Sequence, residues 1–321
     1  MRKADEKKQE LRKAVRIRRH MPVRAWIAEW MTTYKEPNVS EKTYQDYKYI
    51  MAHVDIDMPL AEVKPIHLQR ILNDQAGKST SFLRKLNLLM RECFEAAVDN
   101  ELIPANPARK LTLPKGYTGK RRALTAEEKK LVLKVAKTHR AGTWVPLMLL
   151  CGMRPSEAAK IQGRDVDFQS MRIHVRGTKT ASADRFVPLP ARLKDSLSGL
   201  EPFEYAVKDT RGNPTTPTSR RTMWASFMKA VQIAAGARTE REKHASVPHL
   251  VGPLPIDPSI TPYWLRHTYA TDLEAAGVPI NVARDLLGHA DITVTSKIYT
   301  HRSEEAFQSA AEKINAFQQV M

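Results

Sequence analysis

The chain has 321 residues, 42% of them apolar, too long for one ordinary core and apolar enough to fold two. Its formal charge is +17, from 52 Lys and Arg against 35 Asp and Glu, which points to a polyanionic partner, either nucleic acid or an anionic membrane surface. No stretch approaches the ~20 uncharged apolar residues of a bilayer span, and the amino terminus has no apolar run that could serve as a signal peptide, so the expected location is cytoplasmic.

Residues 1–20 hold nine basic and three acidic residues, a net of +6, and read either as a solvated tail or as a basic segment that meets the partner. From 21 to 108 the chain alternates amphipathic segments, "PVRAWIAEWM", "VSEKTYQDYKYIMAHV", "KPIHLQRILND" and "SFLRKLNLLMRECFEAAVDNEL", with Pro, Asn, Gly and Ser breaks, which predicts a small helical bundle ended by "IPANPA". Residues 109–122, "RKLTLPKGYTGKRR", carry six basic residues and no acidic one. Their proline and glycines predict a linker, with Lys115, Lys120, Arg121 and Arg122 free to lie along a phosphate backbone. Cys93 and Cys151 are the only cysteines, and their apolar surroundings argue for reduced, buried thiols.

After the linker, "LTAEEKKLVLKVA" predicts a helix with Thr125 and Glu128 as a capping box. "RIHV" and "RFVPL" predict a hairpin whose polar turn carries Lys179, while 203–220 and 236–260 read as loops and the rest as helix. In "CGMRPSEAAKI", Pro155 suits a first helical position and holds Arg154 extended just outside it, where backbone N–H groups favour an anion; a surface ion pair with Glu157 is the alternative. In "TPYWLRHTYATDLEAAG", Thr261 caps, Pro262 opens and Gly277 closes a helix on which Tyr263, Arg266 and His267 are neighbours. Such a cluster is either an internal ion-pair knot or an anion site. Downstream, Gly288 ends a helix beside His289, and Tyr299 follows in "KIYTH".

Taken together and in this order, "CGMRPSE", the lysine of "GTKTASADRFVPLP", "LRHTYAT" and "LLGHADITVTSKIYTH" closely resemble the tyrosine recombinases, or phage integrases, over 122–302. Residues 21–108 resemble the family's core-site-binding domain. The resemblance implies a mainly α, two-domain DNA clamp: a basic segment 1–20, a core-site-binding domain 21–108, a linker 109–122 and an α+β catalytic domain 123–321. It implies that Arg154 and Arg266 grip the scissile phosphate, Lys179 protonates the leaving 5′ oxygen, His289 hydrogen-bonds the phosphate and Tyr299 attacks phosphorus. Glu157 and His267 match supporting positions. Tyr263 departs from the pattern, because the family usually has a histidine there.

The residue chemistry agrees with the resemblance. Guanidinium forks suit a phosphodiester that gains charge in its transition state, and exchange of phenolate and phosphate esters needs no ATP. No cofactor and no metal are implied: a Walker loop, a dinucleotide fingerprint and an acidic metal cluster are all missing, and "HASVPH" lacks ligand spacing. The expected function is integration or excision of a phage or other mobile element through a 3′-phosphotyrosyl intermediate. The alternatives are a chromosome-dimer-resolving recombinase, a type IB topoisomerase and a non-catalytic DNA-binding regulator. Expected partners are double-stranded DNA attachment sites, a homotetramer on that DNA, and a directionality factor or DNA-bending protein, with no membrane. The stripe Phe307, Ala310, Ala311, Ile314 and Phe317 predicts a terminal helix that packs on its own chain or on a neighbouring protomer. About twenty residues before the bundle are too few for an arm-site-binding domain, which is therefore expected to be absent or cut away.

Overall fold

Polar caps and apolar residues three and four apart set the helices of the first half. The computed structural model describes residues 20–119, 121–177, 184–240 and 249–296, so all of the basic segment but His20, and the terminal helix expected from Phe307 onward, lie outside the described residues. The chain divides into two compact units, Met1–Lys120 and Arg121–Met321.

In the first unit, α1 (Val23–Trp30) buries Val23, Trp26 and Trp30, and the Trp26 indole N–H donates to the Cys93 carbonyl at 3.0 Å. Ser40 caps α2 (Glu41–Met51), accepting from the Thr43 N–H. α3 (Pro65–Asp74) opens on its proline. α4 (Thr80–Asp99) is capped by Ser79, which accepts from the Phe82 N–H at 3.1 Å, and it buries the stripe Leu83, Leu86, Met90, Cys93, Phe94 and Ala97. It stops at Asp99, short of the apolar pattern that continues to Leu102, and Glu101 turns the chain with φ 57°.

The basic stretch 109–122 is only partly a connector. Tyr117 bridges to Ser79 in parallel, donates its N–H to the Lys78 carbonyl and accepts from the Thr80 N–H, both at 2.9 Å. Gly116 permits this approach, since a Cβ there would lie 2.8 Å from the Thr80 backbone. The stretch up to Thr118 is therefore fastened to the start of α4, and within it Lys115 is exposed.

In the second unit the Thr125 box forms as expected: Thr125 Oγ1 accepts from the Glu128 N–H at 3.2 Å and Glu128 Oε2 from the Thr125 N–H at 2.8 Å, opening α5 (Ala126–Ala136). α6 (Trp144–Cys151) is apolar on all sides and buried on nearly all of them. A single turn, α7 (Pro155–Ala158), leads to β1 (Val166–Asp167), β2 (Arg172–Val175) and β3 (Arg185–Pro188), an antiparallel sheet in that order with Val175 opposite Arg185. The hairpin of β2 and β3 is as expected. The added strand β1 was hidden because its two residues show no alternation; it is held by Asp167 Oδ1, which accepts from the Gln169 and Ser170 N–H groups in the turn.

α8 (Ala191–Leu197) follows the sheet. α9 (Pro217–Ala234) begins inside the stretch read as loop, because Thr216 caps the Ser219 N–H at 3.1 Å and Pro217 fits the first turn. The second expected loop contains a two-stranded sheet, β4 (Arg238–Glu240) with β5 (His249–Val251), whose short polar strands carry no buried face to betray them. α10 (Pro262–Ala275), α11 (Ile280–Leu287) and α12 (Ile292–Ser296) complete a mainly α, α+β unit. Gly277 and Gly288 take the left-handed conformation expected after a helix, with φ 68° and 63°. Both cysteines are free and buried, each in the core of its own unit, and burial raises both thiols, that of Cys151 to about 12. Among the described residues no helix is long and apolar enough to cross a membrane.

Candidate active site

The site starts at the glycine that ends α6. Gly152 is left-handed, and a Cβ there would lie 2.2 Å from the Tyr269 ring, so only glycine lets α10 pack this closely. Its carbonyl accepts from Arg266 Nη1 at 2.8 Å. Two residues later Arg154 stands before α7 with ψ 151°, the extended geometry that a following proline enforces. Arg154 Nη1 donates to Glu157 Oε1 at 2.6 Å and its backbone N–H to Glu157 Oε2 at 2.8 Å. The ion pair weighed for Arg154 thus exists, but in a part-buried pocket rather than on an open surface. The anion over the start of α7 is the chain's own carboxylate.

A third guanidinium, which sequence reading overlooks, enters from the sheet. Arg185 is 8% exposed and donates through Nη2 to Glu157 Oε2 at 2.9 Å. The signal was strand alternation: 185, 187 and 189 share one face, and Val187 and Leu189 make that face the buried one, so a cation there requires a buried partner. Arg266, 7% exposed, brings Nη1 to 3.8 Å from the same carboxylate oxygen.

The carboxyl end of α11 binds these three together. Helices end with unpaired carbonyls and partial negative charge. Here the carbonyl of Leu286 accepts from Arg185 Nε at 2.7 Å, that of Leu287 from Arg266 Nη2, and that of Gly288 from Arg154 Nη2 at 2.9 Å. Among the described residues, three guanidinium cations converge on the one carboxylate of Glu157 in a part-buried pocket. Burial alone would raise the Glu157 carboxyl, but the hydrogen bond and charge of Arg185, followed by the bonds from Arg154, hold it at about 2. Burial and then the Arg154 charge push Arg266 down to about 9, against the opposing charge of Glu157.

His289 follows Gly288 directly and is half-buried. Burial, then the charges of Arg266, Arg154 and Arg185, lower it to about 4, so its imidazole is neutral at neutral pH. Its Nδ1 lies 2.9 Å from the hydroxyl of the buried Thr295. With that hydroxyl as donor to Nδ1, the proton resides on Nε2, available to an oxygen anion. Tyr263 lies in the first turn of α10 and is 48% exposed, and its phenol acts electrostatically on Arg266 three residues on. His267 is partly buried and lowered, by burial first and by the Arg121 charge second.

Lys179, Tyr299 and Lys120 lie outside the described residues. Arg121 is exposed. Arg122 is not a free linker cation: it forms a forked pair with Glu128, at 2.5 and 2.6 Å, and stacks 5.7 Å from the Trp264 ring centre. The capping glutamate of α5 sits beside it once the chain folds, which no reading of the basic run could anticipate.

Comparison with known proteins gives the family of the chain. The profile of the Phage integrase family matches residues 122–306, and that of the Phage integrase N-terminal SAM-like domain matches residues 23–75. The tyrosine recombinase XerA of Thermococcus onnurineus (strain NA1) is 30% identical over 254 residues, 74% of this chain and 82% of that protein. The chain belongs to the phage integrase family of tyrosine recombinases, and it is a site-specific recombinase that breaks and rejoins DNA through a tyrosine intermediate. Among solved structures, a variant of the Tn1549 transposon integrase in complex with a circular intermediate DNA has the same fold, with TM-score 0.72 at 18% identity, over 92% of this chain and 99% of that one. A lambda integrase tetramer bound to a Holliday junction matches with TM-score 0.64 at 17% identity, over 86% of this chain and 79% of that one.

Proposed function

We propose that the pocket of guanidinium groups around Glu157 is the seat of the scissile phosphate, and that Arg154, Arg266, His289, Lys179 and Tyr299 carry out strand cleavage. A phosphodiester brings one negative charge and its five-coordinate transition state brings more, so guanidinium groups gathered in one part-buried pocket favour the transition state over the ground state. That convergence of Arg154, Arg266 and His289 on one place is the observation that carries the reading. Arg154 and Arg266 bind the non-bridging oxygens, with Arg154, the more exposed of the two, as the first contact. His289 donates from Nε2, and the Tyr263 phenol donates a further bond without taking a proton.

The Tyr299 phenol gives its proton to water and its oxygen bonds to phosphorus as the bond to the 5′ oxygen breaks. That oxygen receives a proton from Lys179, which solvent reprotonates, so the proton released by the phenol equals the one taken up and a 3′-phosphotyrosyl ester remains. Attack by the 5′ hydroxyl of another strand reverses it. The substrate in this reading is a pair of attachment sites belonging to a phage or other mobile element, bound by a tetramer of this chain; a directionality factor or DNA-bending protein would set the direction. The relatedness to a recombinase named XerA keeps chromosome-dimer resolution as the second reading.

The test is covalent trapping. Wild-type protein is used to select duplexes from a random pool, and the selected site is nicked so that religation fails. An adduct whose DNA-bearing peptide contains Tyr299 is the expected result, with Tyr299→Phe binding the site but forming none. DNA attached to Tyr263 would overturn the assignment, and recombination of the selected site with the sequences flanking the gene separates the mobile-element reading from the second one.

A further inference from the structure

A cation on the inward face of a strand is expensive unless it is paired and fully hydrogen-bonded. Among the partners with which Arg185 meets that demand are two far apart in the chain: Glu157, on the one-turn helix α7, and the Leu286 carbonyl, at the end of α11. Those partners are the two supports on which the phosphate-gripping groups rest. Glu157 holds Arg154 by its side chain and its backbone N–H. The end of α11 holds Arg154 and Arg266 through the Gly288 and Leu287 carbonyls, and His289 is the next residue. Arg185 is also the first residue of β3, six positions after Lys179 in the sequence.

We propose that Arg185 is a positioning residue of the cleavage site, locking the α7 carboxylate to the carboxyl end of α11 so that Arg154 and His289 face one phosphate at a fixed separation. The inference rests on the phosphate pocket proposed above. Arg185 touches no substrate in it. Its planar fork suits the task, since one nitrogen reaches the carboxylate while another reaches the carbonyl, a span that the single ammonium of lysine cannot duplicate. Catalytic geometry of this kind is sensitive, and about 1 Å of misplacement can cost on the order of a hundredfold in rate.

The experiment uses the full chain and the nicked duplex selected by the wild-type protein. Arg185→Met, Arg185→Lys, Glu157→Gln and the double variant Arg185→Met with Glu157→Gln are compared by thermal melting, by affinity for the intact site and by single-turnover adduct formation. The expected result for Arg185→Met is affinity within about threefold of wild type and adduct formation slower by roughly tenfold to a hundredfold. Arg185→Lys should recover part of the rate. In the Glu157→Gln background the Met substitution should add less than about threefold, because the two act through one contact. Adduct formation by Arg185→Met at the wild-type rate would overturn the proposal, as would a loss of affinity matching the loss of rate or a full multiplication of the two single effects. If Arg185→Met does not melt cooperatively, Arg185→Lys and Glu157→Gln decide in the same way: both at wild-type rate overturns the proposal. Failure of the wild-type protein to form any adduct would instead overturn the proposed function itself.

Discussion

Two groups of arginines in the second unit differ in almost everything except their charge. Arg121 and Arg122 end a basic run of sequence, are exposed, and face either solvent or a single carboxylate with matching charge. Arg154, Arg185 and Arg266 are scattered over more than a hundred residues, yet they meet around one glutamate and three successive carbonyls. Exposed cations are screened by salt and contribute little each, so their effect on a polyanion is additive and unspecific. Cations gathered out of water act on an anion through a lower dielectric, and the strength of that action does not depend on the net charge of the chain. The +17 formal charge thus points to a partner class, while the pocket on which the proposed cleavage rests is a small group that the charge count does not single out.

The largest effect expected from this contrast is at Arg266. Arg266→Gln should slow adduct formation by roughly 10² to 10³, the loss typical of one transition-state donor, while affinity for the intact site changes little. Single-turnover trapping beside a gel-shift titration measures both, and a fall in affinity alone would make Arg266 an ordinary DNA contact.

Removing the shared carboxylate tests the buried group as a unit. Glu157→Gln should lower stability by about 3 kcal/mol at neutral pH, since breaking a buried ion pair leaves uncompensated charge behind. The sign with pH follows from its carboxyl being held at about 2, below the ordinary 4.5. The wild-type advantage is fully present above the ordinary value and is lost as pH falls from there toward about 2. Urea melts of both proteins across that window measure it, and an advantage that grew on acidification would refute the pairing.

A smaller effect is expected at Tyr263, which stands at the rim between the two environments. Tyr263→Phe should slow adduct formation by about tenfold, less than a fully enclosed donor would, because water competes for an exposed bond. Tyr263→His should keep activity and add a titration near the ordinary histidine value of ~6.5 to the rate profile. A profile without that step would place residue 263 away from the phosphate.

The smallest effects belong to the exposed pair. Arg121→Gln should reduce the slope of log affinity against log salt by about 0.9 if it meets one phosphate. Arg122→Gln should change it less, because Arg122 is already engaged by Glu128. Equal slopes for the two variants would mean that DNA displaces Glu128 from Arg122.

Much of the local structure could be read directly from the residues. The capping box at Thr125, the prolines that open α7 and α10, and the left-handed glycines after α10 and α11 depend on groups three or four residues apart, and so does the amphipathic stripe of α4. The hairpin of β2 and β3 was legible because its apolar residues alternate over enough positions to be seen. The strands β1, β4 and β5 were not, since two or three residues without a buried face have no period.

At the site, motif and order pointed to Arg154, Arg266 and His289, and the sequence alone identified the residue types a phosphate needs. Tertiary structure alone decided what surrounds them. Arg185 finds its partners 28 and 101 residues away, Arg266 bonds a glycine carbonyl 114 residues away, and Arg122 turns from a linker cation into the mate of a capping glutamate. The physical reason is that caps and turns are satisfied within one turn of chain. A buried charge must take its counter-charge from whatever the fold brings near, and that neighbour is fixed only when the sheet, α7 and the end of α11 close on one another.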